Sequence, residues 1–256
     1  MNWSDLFAFM TERDPAFADT LVGANPEDVE TAQRELGIVF PTAYVDFLTT
    51  MGVETGRYHP FGRGIDTNFY RVLQQIPAED YDVQEYFLIA KETDSSRCPM
   101  YDIYLDMRKS SDESGDGRLV QVEDNTEWVV VEEVRLTLLE RLTEMAWLTF
   151  EAARHAFARA LYIHAEDPNE LDTLRTRALE LLAKQGQRST LPAQHHLDCL
   201  GSSTEASFVM LQPEFRLIHL DIMGNDEDRV ARLTEVLLDY FPGSAPDKRM
   251  PSITNP

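Results

Sequence analysis

Residues 27–52 read EDVETAQRELGIVFPTAYVDFLTTMG, two short amphipathic helices joined by a pinched loop. In the first, Val29, Ala32 and Leu36 recur at helical spacing and define one apolar face. Asn25 is placed to cap it, Pro26 suits the first helical position, and Glu27 and Asp28 complement the positive end of the helix dipole. Gly37 is the expected stop, because glycine enters the left-handed conformation without steric cost. Ile38 and Phe40 make a brief apolar step before Pro41, which opens a second helix but cannot lie deep within one. Tyr44, Phe47, Leu48 and Met51 form its stripe, and Gly52 ends it.

Outward from this hairpin the pattern changes period. Upstream, residues 1–22 suggest a helix with Trp3, Leu6, Phe7 and Met10 on one face, interrupted at Pro15 and continued by Phe17 and Leu21. Downstream, residues 53–73 are rich in glycine and aromatics and read as an irregular connection. Arg57, His59 and Arg63 form a basic island there, but GRGID is neither a phosphate loop nor a dinucleotide fingerprint, so packing of Tyr58 and Phe61 on the core is expected. Strands are expected at 86–90, 101–105, 118–122 and 128–131, joined by short turns that fit antiparallel pairing. A closing helix is expected from near Glu132, carrying Leu136, Leu139, Leu142 and Trp147.

Taken together, Leu36-Gly37, Phe40-Pro41, Tyr44, Phe47-Leu48 and Met51-Gly52 resemble the signature of the SUKH superfamily, whose usual form is a helix, "LG", a short apolar step, "LP", then "Y..FL...NG". Phe40 stands where leucine is usual and Met51 where asparagine is usual. The resemblance covers about residues 25–150, and the order of helices, strand meander and closing helix matches it. It implies an α+β domain used widely as a bacterial immunity protein against polymorphic toxins, and also found in regulatory and scaffold proteins. Leu36, Gly37, Pro41, Tyr44, Phe47 and Gly52 are expected to be structural, since they stop helices, turn the chain or fill a core.

Beyond about residue 150 the resemblance stops. Residues 151–167 (EAARHAFARALYIHAED) read as a continued helix, broken by Pro168 and Asn169. Leu171, Leu174, Ala178, Leu181 and Leu182 suggest another helix ending at Gly186. A strand pair at 208–211 and 215–222, with a turn at 212–214, precedes a final helix carrying Val230, Leu233, Val236, Leu237 and Tyr240. The expected organisation is a SUKH-like α+β domain at 1–150, with N-terminal helices packed on an antiparallel sheet. A helical extension with a small strand–strand–helix subdomain at 151–241 and a disordered tail at 242–256 complete it.

The net charge of −22 is the strongest compositional fact. Residues 1–150 hold 12 basic and 29 acidic residues, a net −17, whereas residues 151–256 hold 11 and 16, a net −5. Such a field repels nucleic acid and accelerates the approach of a basic partner. No stretch approaches the roughly 18 apolar residues of a membrane span, and the first residues lack the basic start and long apolar run of a secretory signal. A cytoplasmic protein is expected, with Cys98 and Cys199 as reduced thiols.

Catalytic patterns are sparse. There is no GxSxG elbow and no cysteine in a recognised catalytic context. His195, His196 and Cys199 have a spacing that places two ligands on one helical face, but a stable zinc site needs three or four. His155 and His164 are expected on a solvated helix face, and His219 as a hydrogen-bonded, partly buried histidine. No enzymatic activity, cofactor or metal is expected. The carboxylates Asp80, Asp82, Glu85, Asp112, Glu113, Asp116, Glu123, Asp124 and Glu127 are read collectively as a negative surface at one edge of the meander, a docking face for a basic toxin domain. Tyr58, Phe61, Phe69, Tyr70 and Tyr81 are the aromatic candidates for its dry centre. A non-enzymatic regulatory or scaffold module is the other reading.

Overall fold

The computed structural model describes residues 1–76, 83–93, 101–108, 116–123, 130–242 and 244–246. They belong to two compact units, Asn2–Ala146 and Trp147–Pro256, the second including Met1. Both are α+β with antiparallel sheets.

The first unit opens with α1 (Trp3–Arg13), started by a reciprocal capping box between Asn2 and Asp5. Its buried face is Trp3, Leu6, Phe9 and Met10. A ribbon strand β1 (Leu21–Val22) precedes α2 (Pro26–Leu36), which Asn25 caps as expected by accepting from the Glu27 N–H. Gly37 closes α2 at φ 68°, the left-handed stop read from sequence. The Gln33 carbonyl accepts from the Ile38 N–H, and its side-chain oxygen accepts from the Phe40 N–H at 2.8 Å, so one residue ties both sides of the loop.

Helix α3 (Thr42–Met51) buries Ala43, Tyr44, Phe47, Leu48 and Met51. Gly52 ends it by a different device from Gly37. Its φ is an ordinary −69°, but a Cβ there would lie 2.5 Å from the Leu48 carbonyl oxygen. Pro41 is buried too, and a Cβ on Gly117 would meet its ring at 3.0 Å. The signature residues are thus packing and turning residues.

Then follow β2 (Glu54–Thr55), paired with β1, a short β3 (Ile65–Asp66) and α4 (Phe69–Gln74). Tyr58 and Phe61 are buried as expected, and the Tyr58 hydroxyl donates to the Leu142 carbonyl at 2.6 Å. The five-stranded sheet has the order β3-β4-β5-β6-β7, with β4 at Tyr86–Glu92, β5 at Tyr101–Asp106, β6 at Arg118–Glu123 and β7 at Val130–Thr137. Apart from bulges in the β4–β5 and β6–β7 pairings, it is the antiparallel meander read from the alternation.

The closing helix α5 (Leu138–Phe150) begins later than the sequence reading placed it. Glu132, Glu133 and Leu136 lie in β7, because pairing with β6 holds the backbone extended as far as Thr137. The helix start is set by Thr137 and Glu140. Thr137 Oγ1 accepts from the Glu140 N–H at 3.2 Å, and Glu140 Oε2 accepts from the Thr137 N–H at 3.1 Å. That T-x-x-E box was legible and outranks Glu132 as a start signal.

Asp116 adds a third contact, its Oδ1 accepting from the Leu139 N–H at 3.0 Å and the Gly117 N–H at 2.8 Å. Burial pushes the Asp116 carboxyl above the usual carboxylate range, opposed by its bonds to Thr137, Leu139 and Gly117. The folded state therefore holds this proton more tightly than the unfolded chain, so stability falls as pH rises through the acidic range. Asp116→Asn keeps an acceptor oxygen and is expected to flatten that slope in urea unfolding series below about pH 5. Asp116→Ala, which removes the acceptor, is expected to cost about 1 kcal/mol at neutral pH.

The second unit corrects the sequence reading more deeply. Residues 157–164 form β8 (Phe157–His164), not a continued helix. All eight of its residues pair with β12, and this non-local ladder overrides an alanine-rich local preference. After α6 (Leu171–Lys184) come β9 (Arg188–Ser189), β10 (Leu197–Gly201), β11 (Glu205–Gln212), β12 (Leu217–Gly224), α7 (Glu227–Tyr240) and β13 (Ala245–Pro246). The sheet order is β13-β8-β12-β11-β10-β9. The expected strand pair is its centre, β11 and β12. The expected disordered tail includes β13, whose Ala245 lies opposite Tyr162; residues 247–256 lie outside the described residues.

Leu161, Val209, Leu220 and Ile222 of the sheet share one core cluster with Leu171 and Leu182 of α6 and Val230 and Leu237 of α7. Sharing it places both helices on the same sheet face. Trp147 belongs to this unit and its ring lies 5.1 Å from that of Phe208.

Candidate protein-binding surface

The described acidic candidates separate along the sheet. Tyr86, Asp106, Arg118 and Thr137 form one transverse row at the end where β4 and β6 begin. Glu85 precedes that row and is exposed, and Asp116 stands beside it, engaged with the start of α5. Glu123 ends β6, five residues further on, or roughly 17 Å away. The alternation of a meander puts its successive turns at opposite ends, so Glu123 does not share an end with Glu85 and Asp116. Asp80, Asp82, Asp112, Glu113, Asp124 and Glu127 lie outside the described residues.

Part of the acidity is internal. Asp106 is 1 % exposed and held by Arg108 through two contacts of 3.0 and 3.1 Å, and that guanidinium also lies over the Tyr86 ring. Asp102, also buried, accepts from Lys91 Nζ at 3.2 Å and the Glu92 N–H at 3.1 Å. In the second unit Asp198 pairs with Arg175, and Glu205 with Arg229. Each such pair cancels within itself, so the net charge of −22 is carried by the remaining carboxylates.

Of the five aromatic candidates, Tyr58, Phe61 and Phe69 are buried and Tyr81 lies outside the described residues. Tyr70 is 36 % exposed. Its hydroxyl donates to Asp28 Oδ2 at 2.8 Å and accepts from the Asn25 N–H at 3.2 Å. Those two bonds join α4 to the start of α2 and hold an aromatic ring at the surface in one orientation.

The ground beneath it is tied together by backbone. The Phe69 N–H donates to the Gly52 carbonyl at 2.8 Å, and Asn68 Nδ2 donates to the Val53 carbonyl at 3.0 Å. The Val53 N–H donates to Val22, an exposed valine of β1 that lies directly opposite Glu54 of β2. Glu27, Asp28 and Glu54 are exposed, Asp28 bonded to Tyr70 and Glu54 opposite Val22. The neighbouring cation, Arg71, is already matched by Asp66 through contacts of 2.6 and 2.9 Å. An exposed aromatic ring bonded to a carboxylate results, with further exposed carboxylates on the joined elements, all within the first unit, and Glu54 as well as Asp66 acts on the Arg71 guanidinium. Nothing in the sequence distinguished Tyr70 from the buried aromatics near it, and Glu27 and Asp28 read there only as complements to the helix dipole.

The histidines and the thiol take other places. His195 is exposed and His196 half-buried in the loop before β10, with ring centroids 4.3 Å apart, while Cys199 is a buried thiol within β10, outside any disulfide. The expectation of helical ligand spacing fails because this segment is loop and strand. His155 follows a short 3₁₀ turn and contacts Glu151 at 3.2 Å, and His164 ends β8, so neither lies on a helix face. His219 is hydrogen-bonded as expected, its Nε2 3.1 Å from Asp221 Oδ1. Among the described residues no group of three or more His, Cys, Asp or Glu could hold a metal ion, and no helix is long and apolar enough to cross a membrane. No family model and no curated protein matches this chain.

Proposed function

We propose that the chain is a SUKH-type immunity protein that binds a basic toxin domain of the nuclease class one to one and occludes it, with the Tyr70 surface as a principal contact. The observation that carries this reading is an exposed tyrosine, fixed by Asp28 and Asn25 at the acidic first turn of α2, where Glu27 and Asp28 are exposed. Tight interfaces need an anchor in a desolvated centre, with surrounding charge that steers the partner. The signature residues from Leu36 to Gly52 support the same reading through the family they resemble.

Co-expression with the toxin encoded beside this chain is expected to relieve growth arrest, and gel filtration to show a stoichiometric complex. Unrelieved arrest with no complex would sink the idea. Glu27→Lys with Glu54→Lys is expected to slow association about tenfold at low salt and far less at 0.5 M salt, because steering is screened while packing is not. Stopped-flow association at the two salt concentrations measures this.

A regulatory or scaffold module is the second reading. It is favoured by a second unit that has its own sheet and core and exposes Phe215, Val236 and Tyr240. Charge reversals at Glu27 and Glu54 leave that function unchanged.

A further inference from the structure

We infer that the Tyr70 surface receives an arginine side chain of the partner, its guanidinium lying on the tyrosine ring and bonding to the carboxylate of Asp28. This rests on the reading of that surface as the toxin-binding face and names the group it recognises. Four features of the surface converge on a planar cation.

The ring is presented rigidly, because its hydroxyl is held from two directions, so little is lost in ordering it when a ligand stacks. Its hydroxyl donates to an anionic acceptor, which enriches the ring in electron density and strengthens attraction for a cation. Asp28 uses one oxygen on Tyr70, and a carboxylate has capacity for several more donors. Glu27 precedes Asp28 in the first turn of α2 and both are exposed, so the surroundings of the Tyr70–Asp28 bond are anionic.

A purely apolar anchor would gain from the ring but would bring no charge to match the exposed carboxylates of Glu27 and Asp28. Lysine supplies charge but not a flat, weakly hydrated face. Arginine supplies a flat face for Tyr70 and a fork of donors for Asp28. Arg108 over Tyr86 shows the same chemistry inside this chain, with the guanidinium carbon 4.4 Å from the ring centroid and both forks on Asp106.

The test uses the full chain and two capped tripeptides, acetyl-Gly-Arg-Gly-amide and acetyl-Gly-Lys-Gly-amide, followed by two-dimensional NMR. The Asn25 N–H, the Val22 methyls and the Tyr70 ring are expected to shift saturably with the arginine peptide. Its affinity should exceed that of the lysine peptide by about two- to fivefold. Tyr70→Leu should remove this preference, and Asp28→Asn should weaken both peptides while leaving the rest of the spectrum in place. Shifts spread over many acidic residues without saturation, equal response to the two peptides, or an unchanged preference in Tyr70→Leu would each overturn the inference. The two failures separate cleanly. A toxin complex insensitive to Tyr70→Leu, with no saturable arginine binding, defeats this inference alone. Saturable arginine binding here without any toxin complex defeats the immunity reading alone.

Discussion

Tyr44→Ala is expected to destabilise the first unit by about 3–5 kcal/mol, the cost of truncating a large buried aromatic. Tyr44 is 1 % exposed on α3, with ring centroids 5.2 Å from Phe40 and 6.2 Å from both Phe47 and Phe87. Its ring thus joins the helical hairpin to strand β4. Burial raises the pKa of its hydroxyl, in keeping with an interior site. Truncation leaves a void edged by three rings that are themselves locked by packing, so collapse around it is limited. A loss of this size is a fifth or more of the 5–15 kcal/mol that stabilises a typical domain. Urea unfolding should show a lower midpoint at constant m-value, and a loss below 1 kcal/mol would mean that the cluster does not hold α3 to the sheet.

Arg175→Leu is expected to cost a comparable 3–5 kcal/mol in the second unit. Arg175 of α6 donates to Asp198 Oδ2 at 2.6 Å, to the His195 carbonyl at 2.7 Å and to the Gln194 carbonyl at 2.7 Å. The two side chains are only 15 % and 9 % exposed. Removing the guanidinium leaves a buried carboxylate uncompensated and releases the loop that enters β10, which compounds the loss. Hydrogen exchange at the β10 amides should accelerate more than a hundredfold, a factor that corresponds to about 2.7 kcal/mol. Replacing Asp198 by leucine as well removes the orphaned charge, so most of the loss should return in Arg175→Leu/Asp198→Leu. A double variant as unstable as the single one would assign the effect to the loop carbonyls.

The helical hairpin was legible because its instructions are local. Asn25 caps from two residues away, Gly37 supplies its own left-handed turn, and the stripe on α3 is a matter of spacing along one segment. The start of α5 was equally local, in Thr137 and Glu140, and was missed because Glu132 and Glu133, directly after the valine run, offer a competing acidic start signal. β8 was not legible. Its alanines and arginine suit a helix, and only eight partners on β12, more than fifty residues away in sequence, hold it extended.

The candidate surface divides in the same way. The acidity of the first 150 residues, the capped and acidic start of α2 and the family signature are properties of the sequence by itself, since they need only composition and short spacing. Which acids stand together, which are paired inside, and which aromatic reaches solvent were decided by tertiary structure. A meander sends Glu123 to the end opposite Asp116, burial consumes Asp102 and Asp106, and one hydrogen-bonded tyrosine is left at the surface among several that are not. The physical reason is that burial and charge pairing depend on which segments meet, and strand pairing brings together residues that no local pattern connects.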